Sequence, residues 1–504
     1  MPCRRINLYL VSRQLLESGL QKVWCPDIPT QLRHLPPNGL QISLIERDLR
    51  EVLRATRTIK NTFIPINKLP PEILSNVLEH RTGDRELVVA THVCQRWRST
   101  LISSPSLWAC FRFTTSHDIN RTSTYLERSK SAPIDIGVSL DLPGGPEVFK
   151  YLAPHIARTR HLTIQGHHTK VHTACLLLRT PSPTLRHLLL RANGGIVRLP
   201  DDFLGRQAPS LRSIILNGIF QPFESHFPLP SLIEFNLSLW NGMGPLHVGA
   251  LFQFLSGCPW LRKIFINAEE MPQTITLDRI TSLESLVELD YLCTPVGRIL
   301  PYLRLPRLER LQVSSSFGPG QNLADLLPHG GHTLLAGATE IKYHSHEFTQ
   351  EIKFSGKGTD ISFTILRPTT AHTPVDWFPD DTSIPFGQIE DLTVEVSVIM
   401  DLPFNVVSFE NLRVLRIIPR NMPFVERFLG SLYPYPGAGV PCRSLQEIEY
   451  PLWGCLRPLI NLTRERNRAG HQLELVCLLI HAWFETGQNF AEELKEYVGE
   501  VQTK

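Results

Sequence analysis

Residues 66–108 open with Ile66-Asn67-Lys68-Leu69-Pro70-Pro71-Glu72-Ile73-Leu74-Ser75-Asn76-Val77-Leu78 and later carry Val93-Cys94-Gln95-Arg96-Trp97-Arg98 and Ser104-Pro105-Ser106-Leu107-Trp108. Pro70 and Pro71 suit a first helical turn, where a missing N–H costs nothing. Glu72 favours the positive end of that helix. Ile73, Leu74, Val77 and Leu78 form its apolar stripe. Gly83 marks a stop, and Asp84 can cap a second helix. There Leu87, Ala90, Cys94, Trp97 and Leu101 fall at steps of three and four, an amphipathic face widened by Val88, Val89 and Val93. Ser104-Pro105 ends that helix, and Leu107-Trp108 follows as an apolar hook.

A module of about 45 residues buries only a modest fraction of its chain surface. Its apolar side chains are spread around both helices, so some must stay exposed or be covered by the rest of the chain or by a partner. Large apolar patches on soluble proteins mark binding sites.

The three quoted segments resemble, in order and in spacing, the three landmarks of an F-box. The resemblance implies docking on the Skp adaptor of an SCF-type (Skp–cullin–F-box) ubiquitin ligase, with the cullin scaffold beyond it. It places Leu69 and Pro70 at the adaptor contact. It puts Ile73, Leu74, Val77, Leu78, Val93 and Trp97 in the interface or its support, with Trp108 closing the module. The break between the helices, Glu79–Arg85, is short for that family. The flanking helix and the segment Tyr125–Ile136 also resemble F-box proteins of mushroom-forming fungi, in which such a segment leads into a repeat array.

The helix before the module is read from Leu40 to Lys60. Ile45, Leu49, Val52 and Ile59 recur at three- and four-residue steps, with Thr56 filling one place. Glu46–Arg50 and Glu51–Arg54 add support. Three heptads allow a short coiled-coil contact but do not require one.

From about residue 155 a six-residue pattern returns, Leu-x-x-apolar-x-apolar. It starts at Leu185, Leu211, Leu232, Leu261, Leu286, Leu308, Leu412 and Leu445. The first six starts lie 26, 21, 29, 25 and 22 residues apart. Such intervals, with a short strand per unit, predict leucine-rich repeats. One repeat cannot bury its apolar side alone, whereas stacked repeats share a core and leave a parallel sheet exposed. The x positions would line that sheet: Arg186, Arg212, Glu234, Arg262, Glu288, Arg310 and Arg413 are the candidate target contacts, with His187, Ser213, Lys263, Glu309 and Glu447 beside them. They carry both signs, which suits a protein surface better than a phosphate track. Between Val313 and Leu412 the pattern thins to Ile341-x-Tyr343, Ile361-x-Phe363-x-Ile365 and Leu392-x-Val394, read as degraded repeats with inserted loops.

The totals restrict the alternatives. The 504 residues are 42% hydrophobic and 20% charged, ample for a large core. Lys and Arg number 51 against 48 Asp and Glu, a net charge of +3. Near balance gives no general pull toward nucleic acid or a membrane surface, and neither is expected as a partner. The most apolar run, Leu473–Phe484, falls short of the ~20 residues a bilayer requires. The amino end lacks the apolar core of a secretion signal. Ten scattered cysteines without a Cys-x-x-Cys pair read as reduced thiols of a cytoplasmic or nuclear protein. His161, His167, His168 and His172, and His344-Ser345-His346-Glu347, lack any metal-binding spacing, and Cys94 reads as packing. No catalytic residue, metal or cofactor is expected.

The expected fold class is therefore α/β: a small all-α F-box module followed by an irregular leucine-rich-repeat solenoid, a horseshoe. Its parts are a weakly ordered segment 1–39, a helix 40–62, the F-box 63–112, a connector 113–150, the repeats 151–484 and a C-terminal helix or tail 485–504. The expected function is a non-catalytic substrate receptor that holds the Skp adaptor by one end and an unknown protein target on the repeats. Two rivals remain at this level: a repeat scaffold whose helical module is only an internal cap, and an enzyme whose histidines converge in a pocket.

Overall fold

The computed structural model describes residues 39–81, 84–112, 119–220, 229–239, 248–268, 279–293, 299–315, 326–346, 349–366, 386–396, 408–419, 422–434, 439–451, 456–479 and 488–503. The expectations for residues 1–38, for Gly83 and for the segments 318–320 and 368–385 lie outside them. The chain divides into two compact units at Ser103/Ser104.

The first unit is helical. Helix α1, Gly39–Thr62, is followed by a 3-10 turn, Pro65–Lys68. Then come α2, Pro71–Arg81, α3, Asp84–Ala90, and α4, Gln95–Ile102. Leu74, Leu78, Leu87, Ala90 and Leu101 form the buried core. The helix expected to run unbroken from Asp84 past Leu101 is instead two helices. Residues 91–93 turn, and Cys94 is extended (φ −159°, ψ 168°) and N-caps α4, its sulfur accepting from the Trp97 N–H at 3.5 Å. Cys94 is thus a cap rather than a residue of a helical face. Arg98 holds the break closed, donating from Nε to the Thr91 carbonyl at 3.0 Å. The three-four spacing continues through the break, which is why periodicity alone misses it.

The second unit is a strand-rich mixed α/β body built, among the described residues, on a 17-stranded sheet. Its first strands are β1, Cys110–Arg112, β2, Ile134–Ser139, β3, Thr159–His167, β4, His187–Asn193, and β5, Ser213–Asn217. The series continues with β6, Glu234–Leu239, β7, Lys263–Ala268, β8, Glu288–Cys293, and β9, Arg310–Ser315. Each of the first eight pairs in parallel with the next, in chain order. The segment read as a connector, 113–150, therefore supplies a sheet strand, together with helices α5, Ile119–Ser129, and α6, Gly145–Leu152.

The order then inverts. Strands β10, Ala338–Ser345, β11, Thr349–Gly356, and β12, Thr359–Leu366, form an antiparallel meander. β12, the last of the three, pairs with β9, and β10, the first, pairs with β13, Asp391–Val396. Of the weakened pattern after Val313, Ile341 and Ile361 fall in a three-stranded insertion laid into the sheet in reverse order, whereas Leu392 falls on β13, where parallel stacking resumes. Parallel stacking resumes with β13, β14, Val414–Pro419, β15, Glu447–Pro451, β16, Leu473–Leu479, and β17, Val498–Thr503. The carboxyl end differs from the expected Ala491–Val501 helix. The helix covers Gln488–Lys495, and β17 then extends the sheet.

Alternation explains the core. Leu188/Leu190, Ile214/Leu216, Phe235/Leu237, Ile264/Ile266, Leu289/Tyr291 and Leu311/Val313 are buried on one face. The Leu that opens each pattern lies in the turn before the strand and is buried as well. Backbone carbonyls in these turns join neighbouring units. The Arg212 carbonyl accepts from the Ile233 and Glu234 N–H groups at 2.8 and 2.9 Å, and the Arg262 carbonyl accepts from Val287 and Glu288 at 2.9 and 3.0 Å. Gly218, after β5, is required. Its φ is +68°, and a Cβ there would sit 2.4 Å from the Ala192 carbonyl oxygen.

Candidate partner-docking site

The site begins at the 3-10 turn of the first unit. Asn67 is buried there, donating from Nδ2 to the Asn61 carbonyl at 2.8 Å and accepting the Trp97 indole N–H at 2.7 Å. This ties the end of α1, the turn and α4 together. Arg96 adds a second tie, donating to the Leu69 carbonyl at 2.5 Å. Leu69, in β conformation at the end of the turn, and Pro70 after it are thereby fixed at the start of α2.

α2 carries two adjacent stripes. Leu74 and Leu78 point inward and are buried. Ile73 and Val77, four residues apart, point outward and are 46% and 40% exposed. Val93 in the turn before α4 is 57% exposed, Pro70 is exposed, and Leu69 and Trp97 are half-buried. Val88, Val89 and Ile102 add further exposed apolar surface. Of the nine residues anticipated for the adaptor, Leu74, Leu78 and Trp108 have no free surface to offer. Trp108 lies in the second unit, wholly buried, edge-on to Tyr125 with ring centroids 5.0 Å apart and with the Arg128 guanidinium 4.3 Å above its ring. Sequence periodicity ranked Asn67 and Arg96 nowhere. Their value is in single hydrogen bonds across 27–30 residues, which no repeat in the sequence announces.

The second candidate surface is the face of the sheet opposite the core. The register lines its side chains into rows across the strands. In one row Asp135 meets His161 at 2.6 Å, and His161 stacks on His187. The Ser213 hydroxyl donates to Glu234 at 2.8 Å, Lys263 pairs with Glu288 at 2.7 Å, and Arg310 pairs with Asp360 at 3.5 Å. Further on, Lys342 pairs with Glu340, His344 with Glu395 and Arg416 with Glu449, each at 2.9–3.0 Å. Of the candidate target contacts, Glu234, Glu288 and Arg310 sit in these pairs. Arg186, Arg212, Arg262 and Arg413 are exposed in the turns before the strands, and Arg413 approaches Glu390 at 3.9 Å.

The electrostatics follow burial and pairing. Burial opposes ionisation of Asp135, but hydrogen bonds from Arg160 and His161 outweigh it and hold its carboxyl below the usual range. Burial, helped by Glu288, raises the carboxyl of Asp290. Burial, with His161 beside it, lowers the imidazole of His187. Among the described residues the early histidines do not gather as three metal ligands. The group within ligand reach there is Glu447, Glu449 and Cys477, and Arg416 already binds Glu449 at 3.0 Å. No helix among the described residues is long and apolar enough to cross a membrane.

Comparison with known families agrees with the geometry of the first site. Residues 66–114 match the F-box-like family model. No curated protein matches the chain. The chain thus carries an F-box-like helical module near its amino end, followed by a strand-rich α/β region.

Proposed function

We propose that this chain is the substrate-recognition subunit of an SCF-type ubiquitin ligase. The F-box-like segment holds the Skp adaptor and, through it, the cullin scaffold. The observation that carries this reading is the exposed apolar set Pro70, Ile73, Val77 and Val93 within the residues that match the family. Free apolar side chains on a small helical unit cost solubility unless a partner covers them.

The sheet supplies the other half of the proposal. Units of one strand each, 21–29 residues apart and paired in parallel, support a leucine-rich-repeat reading of much of the second unit. Its open face, with charges of both signs, suits a protein target. The chain itself performs no chemistry in this account. It acts in the cytoplasm or nucleus by bringing a target close to the ubiquitin-transferring subunits. The alternative is a repeat scaffold outside the ubiquitin system, favoured by the ion pairs that already engage charges of the open face, such as Lys263–Glu288 and Arg416–Glu449.

Co-purification tests the reading. The wild-type chain should recover the Skp adaptor and cullin, and the Leu69→Asp, Pro70→Ala double variant should not. Equal recovery by both forms would favour the scaffold. Affinity capture with the proteasome blocked should then enrich a target whose retention survives the double variant.

A further inference from the structure

We infer that α1 is a self-association helix, which pairs with α1 of a second copy of this chain in antiparallel orientation. Every described side chain from Glu46 to Lys60 is exposed. Within that stretch Leu49, Val52, Leu53 and Ile59 are at least half exposed. A 24-residue helix with an open apolar stripe is poorly stable by itself and gains most from a packed partner.

The stripe has coiled-coil spacing. Leu49, Val52, Thr56, Ile59 and Phe63 follow steps of three and four, with Leu49 and Thr56 at a and Val52 and Ile59 at d. Thr56 is the one polar residue in the seam, and its hydroxyl already donates to the Val52 carbonyl at 2.9 Å. It can therefore enter a dry seam without an unsatisfied donor. In antiparallel register Leu49 packs against Ile59 of the second copy, and Val52 against Thr56.

The flanking charges select both partner and orientation. Glu46, Leu53 and Lys60 occupy successive e positions. In that same antiparallel register e positions lie beside e positions, which sets Glu46 against Lys60 of the second copy twice, once on each side of the two-fold axis. The parallel alternative would pair Asp48 with Leu53 and Ala55 with Lys60, which gains no opposite charge. Glu46 also pairs with Arg50 along its own helix at 2.9 Å, so it is held at the seam edge. A surface that complements itself under a two-fold axis is an isologous dimer contact. The contact is separate from the adaptor-docking residues, so its failure leaves that proposal untouched.

Sedimentation of the full chain across roughly 1–100 μM tests the inference. The wild type should shift from monomer to dimer. Lys60→Glu should weaken association about tenfold or more. Combining Lys60→Glu with Glu46→Lys should restore it, since the double exchange recreates both pairs. A chain monomeric throughout the range would overturn the inference. So would a dimer indifferent to Lys60→Glu, or a double variant no better than the single one.

Discussion

The indole N–H of Trp97 donates to the side-chain oxygen of Asn67 at 2.7 Å, across 30 residues of chain. Asn67 spends its own amide on the Asn61 carbonyl. One buried side chain therefore fixes the turn that presents Leu69 and Pro70 to the helix that carries Trp97. Removing it leaves an indole donor and a carbonyl acceptor without partners. Asn67→Ala should destabilise the helical unit by about 1–3 kcal/mol. Trp97→Phe should do so too, and the double variant should cost less than the two together. Denaturant melts of the four forms measure the coupling, and simple additivity would show that the bond contributes nothing.

The two stripes of α2 should respond oppositely. Val77→Asp faces water and should change stability by no more than about 0.5 kcal/mol. Leu74→Ala opens the core and should cost about 2–5 kcal/mol. Thermal melts of each variant check the direction.

Three thiols should be inert. Burial pushes Cys175, Cys258 and Cys442 up to about 12. Only thiolates react quickly with alkylating reagents. Brief iodoacetamide treatment of the native protein near pH 8, read by peptide mass spectrometry, should leave these three unmodified. Denatured protein should label fully. Native labelling at Cys175 would contradict the packing.

The histidine and aspartate of the first row set opposite ends of a pH response. The His187 imidazole is lowered, so between its folded value and the ordinary 6.5 the unfolded chain binds more protons. Stability therefore falls as pH drops through that window. Glu234 opposes the effect, while His161, Arg186 and Arg212 reinforce it. The Asp135 carboxyl is depressed, so its stabilising contribution is whole above about pH 4 and disappears as acid protonates it. His187→Gln should flatten the loss between pH 7 and 5 without altering the loss below 4, as urea melts at each pH would show.

Arg466 is wholly buried and pairs with no carboxylate among the described residues. It donates to the carbonyls of Pro441 at 2.8 Å and Cys442 at 3.0 Å. Helix α7, Arg457–Arg468, is thus fastened to the turn before β15. A lysine cannot satisfy both carbonyls from one fork, so Arg466→Lys should cost about 2–3 kcal/mol. Unchanged urea midpoints would refute this role.

Much of this fold was legible in the residues. The pattern at Leu185, Leu211, Leu232, Leu261, Leu286 and Leu308 places β4 through β9, because a strand that buries alternate residues must repeat at a period of two. It also marks strands at Ile341, Ile361 and Leu392. It says nothing of their order, and the reversed meander β10–β12 came only from the register. The break at Thr91–Val93 was hidden for a related reason: a turn of suitable length keeps two helices in phase. At the docking site, the apolar stripe Ile73, Leu74, Val77 and Leu78 was legible from its spacing. Which of Ile73, Leu74, Val77 and Leu78 faced outward depended on what α2 packs against, and that is tertiary information.

The central claim is that the outward stripe of α2 is a docking surface for the Skp adaptor. Calorimetric titration of purified adaptor into the full chain tests it most directly, with Val77→Asp as the comparison. The account predicts a one-to-one complex with a dissociation constant of about 1 μM or tighter, weakened at least about 30-fold by the substitution. Absence of binding at about 100 μM, or equal affinity for the two forms, would contradict it.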